Sequence, residues 1–157
     1  MSKFRYLLTL SCIAGALVLT ACSSPAPVAA TPAPAPYNAV ALMANLSAAK
    51  EVPPNSSAGT GVLQANFNKQ TNMLTWTVTY SGLTGPVRAA HFHGPSTAGI
   101  NAGVALGMNG SLDSPIKGSA VLTAAQSADL LAGKWYVNLH TATNVAGEIR
   151  GQVDAVK

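Results

Sequence analysis

Cysteine is nearly absent from this chain: there are two in 157 residues, Cys12 inside an N-terminal apolar run and Cys22 just after it. That leaves no pair for a structural disulfide and no thiolate cluster for a zinc or iron–sulfur centre. Charge is just as sparse. Only 9% of residues are charged, nine Lys and Arg against five Asp and Glu, and no basic run occurs anywhere, so the clustered cationic surface that nucleic acid requires is missing. Aromatic residues make up 6%, and 28 of the hydrophobic residues are Ala, so the 48% apolar fraction overstates the available core. At this length the chain holds one modest domain.

The first residues read as an address. A short basic region (Lys3, Arg5) precedes an apolar stretch from about Leu7 to Leu19, which ends at Leu19-Thr20-Ala21-Cys22. The stretch is too short and too abruptly ended for a spanning helix. Leu-Thr-Ala-Cys resembles the bacterial lipobox, whose cysteine is lipidated on sulfur and becomes the new N-terminus. Residues 1–21 would then be a signal peptide, and Cys22 the link to a membrane. Without Lys3 and Arg5 the mature chain keeps seven basic residues against five acidic ones and is close to neutral. Ser23 in place of Asp after the cysteine resembles the pattern sorted to the outer membrane, which places the protein at the bacterial cell envelope, facing the periplasm or the cell surface. Residues 22–36 carry five of the ten prolines among Ser, Ala, Val and Thr. Such a composition has no apolar face to bury and serves as an extended tether. The folded domain is expected over 37–157.

Within that domain the hydrophobic period is two. Leu74, Trp76, Val78 and Tyr80 alternate with Met73, Thr75, Thr77 and Thr79, the pattern of a half-buried strand with a polar outer face. Similar runs occur at 39–46, 61–67, 87–93, 102–108, 118–122, 134–141 and 148–153, separated by Gly, Pro and Asn turn signals. About eight short strands predict an all-β fold, an antiparallel β-sandwich or Greek-key barrel. One segment departs from this pattern. Thr123-Ala-Ala-Gln126 matches a capping box and predicts a short helix near 124–132 that Gly133 can end.

Chemistry centres on the three histidines. In His91-Phe92-His93 the alternation of a strand puts both imidazoles on one face, with Phe92 on the other. Trp135, Val137 and Leu139 form the apolar face of the run that ends at His140, so this histidine also points away from the core. Two such strands brought together would present three imidazoles at one point. If 134–141 and 148–153 form a hairpin, Ile149 and Val153 face inward while Glu148, Arg150 and Gln152 face outward. Glu148 or Arg150 is then the cross-strand neighbour of His140, and Glu148 is the expected carboxylate to orient its ring. A set of imidazoles with no thiolate suits copper, with zinc as the alternative, and three ligands leave a coordination position open.

Four segments resemble the CHRD domain, a family named after chordin with many bacterial secreted and lipoprotein members. They are the stretch from Ala44 through Glu51-Val52-Pro53-Pro54, then Ala89-Ala90-His91-Phe92-His93-Gly94-Pro95, then Leu131 through Trp135-Tyr136-Val137-Asn138-Leu139-His140-Thr141, and Gly147-Glu148-Ile149-Arg150-Gly151-Gln152. The resemblance covers about 39–153 and implies an all-β fold. The histidine arrangement is also similar, more loosely, to the copper site of Cu/Zn superoxide dismutase. This chain lacks that enzyme's fourth copper histidine, its zinc-ligand cluster and its paired cysteines, which counts against dismutase activity.

The remaining candidates have simpler readings. Glu51 is expected to fix a loop by hydrogen bonds, and Arg150 to find Glu148 or a backbone partner before an anion. Met43, Met73 and Met108 are assigned to packing, since no spacing ties them to the histidines. No nucleophile elbow and no phosphate-cradling glycine loop occurs. The sequence therefore leads to a lipid-anchored, metal-binding CHRD-type protein. A non-catalytic module that binds a protein partner and a dismutase-like redox enzyme stand as the alternatives.

Overall fold

The computed structural model describes residues 38–156. The segment read as a signal sequence, Cys22 and the proline-rich segment fall outside the described residues. The chain forms strands β1 (Ala39–Ser47), β2 (Thr60–Asn68), β3 (Met73–Ser81), β4 (Val87–His93), β5 (Val104–Gly107), β6 (Ile116–Val121), β7 (Tyr136–Thr141), β8 (Ile149–Gln152) and β9 (Asp154–Ala155). A 3-10 turn at Ala48–Lys50 follows β1, and helix α1 (Ala124–Leu131) joins β6 to β7. All eight expected strands are present with ends within two residues of the sequence reading; the two-residue β9 was not anticipated. Among the described residues no helix is long and apolar enough to cross a membrane.

Every strand pairing is antiparallel, in the order β5-β4-β7-β8-β1-β2-β3-β6, with β9 added beside β1. The sheet curls into a half-barrel because one face of every long strand is apolar. Leu42, Ala44 and Leu46 of β1, Leu63 and Phe67 of β2, Leu74, Trp76 and Val78 of β3 and Val137 and Leu139 of β7 are all buried on that inner side. Each large side chain among them contributes about 1.5–3 kcal/mol by leaving water. The curl brings distant strands together: Trp76 on β3 meets the edge of Phe92 on β4 with ring centroids 5.4 Å apart, and Phe92 in turn lies 5.8 Å from Trp135.

Helix α1 starts as its sequence predicts. The Thr123 hydroxyl accepts from the Gln126 N–H at 3.2 Å, and the Gln126 side chain accepts from the Thr123 N–H at 2.9 Å. Gly133, at φ 68°, takes the left-handed conformation that turns the chain back into β7. Leu130 is the helix's contribution to the core, at 1% exposure.

The outer face is not open to water everywhere. Over β4, β7 and β8 it lies under two loops, 51–59 and 94–103. Asn101 ties them together by donating to the Val52 carbonyl at 2.9 Å. Beneath them Tyr136, Asn138, Glu148 and Arg150 are all buried.

Candidate metal centre

Registry assembles the site. His91 and His93 alternate along β4, and β7 lies antiparallel beside it, with Ala89 opposite His140, His91 opposite Asn138 and His93 opposite Tyr136. Partners across a ladder point to the same face, so all three imidazoles share the outer side, His140 one step diagonal to His91. The β4–β5 ladder slips by one residue between Phe92 and His93, a bulge at the position of a site residue.

The three rings converge. One nitrogen from each lies within 4.8 Å of the others, and His91 Nδ1 is 3.2 Å from His140 Nε2. Two of the rings have their other nitrogen held by the backbone. His93 Nδ1 donates to the Ala102 carbonyl at 3.0 Å and His140 Nδ1 donates to the Val145 carbonyl at 2.9 Å when these rings are neutral. Each then keeps its lone pair on Nε2. His93 Nε2 is buried and meets no hydrogen-bond partner among the described residues. A buried nitrogen with a lone pair and no donor in reach is costly unless a ligand meets it.

Electrostatics favour the neutral form of His91 and His140. Burial pushes the His91 imidazole below its ordinary value, and His140 and His93 beside it push the same way. Burial also lowers His140; the hydrogen bond to Val145 opposes this, and His93 reinforces it. Neutral imidazole is the form that ligates. Nitrogen–metal bonds of about 2.0–2.1 Å limit two ligands of one ion to roughly 4.2 Å apart, so a shift of under about 1 Å closes the trio. Exposed Val104, paired with His93, and exposed Val145 flank the histidines.

A family model for the CHRD domain matches residues 42–153. The chain belongs to the CHRD family. No curated protein and no solved structure matches it. In this CHRD domain the His91-Phe92-His93 segment and the Val137-Asn138-Leu139-His140 segment are the two neighbouring strands that carry the site.

Glu148 requires a correction. It lies one step beyond the Leu139–Ile149 pair, across from His140 as the hairpin register implied, yet its carboxylate does not orient that ring. It accepts from Ser57 Oγ at 2.6 Å, from the Thr84 N–H at 2.7 Å, from Thr84 Oγ1 at 2.7 Å and from Thr141 Oγ1. The hydroxyls and the N–H of the adjoining loops out-compete a ring whose Nδ1 already has a carbonyl partner. Burial would raise this carboxyl, but the hydrogen bonds from Ser57, Thr141 and Thr84 outweigh it and bring it down to about 2.

Arg150 finds the backbone partner expected of it, the Ile100 carbonyl, and not Glu148. It reaches neither His140 nor Glu148; it donates to Asn101 Oδ1 at 2.8 Å and to the Ile100 carbonyl at 2.7 Å, with Cζ 3.4 Å from the centre of the Tyr136 ring. Its effect on the site passes through others. The same Tyr136 ring stacks on His93 at 4.8 Å and 3°, and its hydroxyl meets the Ala102 peptide that holds His93. Tyr136 is the positioning residue that sequence reasoning missed, although alternation from His140 put it on the histidine face. Glu51 is buried under Gly147, and its Oε1 has no hydrogen-bond partner among the described residues. Burial pushes its carboxyl up, and the Arg150 charge pulls it back. Met108 belongs to the core and Met43 is exposed on the sheet's outer face, in a groove away from the histidines.

Proposed function

We propose that this CHRD domain binds a metal ion through His91, His93 and His140, that the ion is copper with zinc as the alternative, and that the protein handles copper at the bacterial cell envelope. A lipid on Cys22 would hold it to the outer membrane. One observation carries the reading: three imidazole nitrogens within 4.8 Å, one of them buried without a partner. The donor set supports copper because imidazole without thiolate suits Cu(II), and copper stands at the top of the divalent affinity order. When bound, the ion would hold the three rings together and keep an open position for an exogenous ligand.

Titration of metal-free protein with Cu(II) against a competing chelator tests this. His91→Ala, His93→Ala and His140→Ala should each lower affinity at least about tenfold, or roughly 1.4 kcal/mol. Equal copper binding by the wild type and the triple variant removes the metal reading and leaves the protein-interaction module. The same titration with Zn(II), with metal analysis of protein purified from its native compartment, identifies the ion.

A further inference from the structure

A cavity of about 510 Å³ lies away from the histidines, on the outer face over β1, β8 and β9. Its two ends differ. At one end stand Lys50 and Arg150, and Arg150 pairs with Ser47 across the β1–β8 ladder. At the other stand Met43 and Val156, exposed by 38% and 53%. Met43 pairs with Asp154, and Val156 donates its N–H to Ala41, so this end lies four residues along β1 from the partner of Arg150, roughly 13 Å, and two residues from Asn45, whose carbonyl the Lys50 ammonium meets. Apolar side chains are therefore held in water at one end of a groove whose other end is cationic.

Both cations have donors to spare. Arg150 is 2% exposed, and among the described residues no carboxylate lies within 4.0 Å of its guanidinium. Two of its five N–H groups are spent on Asn101 and Ile100. The Lys50 ammonium gives one of its three protons to the Asn45 carbonyl at 2.6 Å. Buried Glu51 feels the Arg150 charge but makes no ion-pair contact with it, so an anion in the groove would meet the unspent N–H groups directly. Asp154 repels an anion from the Met43 end, so the charges also set a direction.

We propose that this groove binds a small carboxylate that carries an apolar chain, the carboxylate at Lys50 and Arg150 and the chain along Met43 and Val156. Concave sites of this size with an apolar wall and a few convergent polar groups are the usual form of small-molecule sites. The proposal is independent of the metal reading.

Octanoate titrated into the isotope-labelled protein should give saturable shifts at the Asn45 and Gln152 amides and the Met43 methyl. Lys50→Ala removes an exposed charge without touching the core and should weaken binding at least about fivefold, the worth of one charge-assisted hydrogen bond. Met43→Glu should weaken it similarly by placing an anion where the chain lies. Octanol and acetate, each with half of the chemistry, should bind more weakly than octanoate, and His91→Ala should bind octanoate as the wild type does. Octanol matching octanoate, acetate matching octanoate, or Lys50→Ala matching the wild type would each overturn the proposal.

Discussion

A single buried carboxylate shows how far one residue of this protein depends on its surroundings. Glu148 is fully buried, yet it stays ionised because three hydroxyls and one N–H donate to it. With a folded value of about 2 against an ordinary 4.5, it contributes stability that is complete above pH 4.5 and is lost as the pH falls towards 2. The full contribution is on the order of 3 kcal/mol. Glu148→Gln turns an acceptor into a donor among donors. It should lower stability at neutral pH by about 2–3 kcal/mol and flatten the acid dependence between pH 4.5 and 2, read by denaturant unfolding at several pH values. Wild-type-like stability at neutral pH would show that the hydroxyls find other partners. His140, the ring this carboxylate was expected to orient, is held by a carbonyl instead.

At the scale of elements, the sheet's edge tests whether the inner face is closely packed. Gly118 on β6 pairs with Trp76 on β3, and a Cβ placed there would lie 2.4 Å from the indole. The strand passes flat over the ring because it has no side chain at that point. Gly118→Ala must push Trp76 out of a position where it contacts Phe92, and overpacking of this kind costs about 1–3 kcal/mol. A lowered unfolding midpoint with changed Trp fluorescence is the expected outcome; an unchanged midpoint would mean the edge strand moves freely. The two histidine-bearing strands, in contrast, lie inside the sheet with partners on both sides, so the site rests on rigid elements.

For the whole molecule, the proposed attachment and the proposed metal site fall on separate segments of the chain. The domain's core and its histidines lie within 38–156, whereas the proposed lipid would sit on Cys22. Cys22→Ser should move the protein from the membrane fraction to the soluble fraction and leave copper affinity unchanged. Retention of this variant in membranes at high salt would rule out the lipid anchor.

Much of this architecture was legible from period and punctuation. Strict alternation in β3 and β7, turn residues between strands and the Thr123 capping box depend on local sterics and hydrogen bonding, which a linear pattern records. Alternation also put the three histidines on one face, because His91 and His93 are two residues apart and His140 is out of phase with Trp135, Val137 and Leu139. What alternation cannot record is what covers a face. Glu148 and Arg150 point outward as read, but loops distant in sequence close over them: Ser57, Thr84 and Thr141 claim the carboxylate, and Asn101, Ile100 and Tyr136 claim the guanidinium. The close approach of His91 to His140, the backbone hold on His93 and His140, and the groove between Lys50 and Met43 likewise come from strand order and loop placement. A residue's own sequence decides which way its side chain points; only the tertiary fold decides which groups it meets there, because those groups come from elsewhere in the chain.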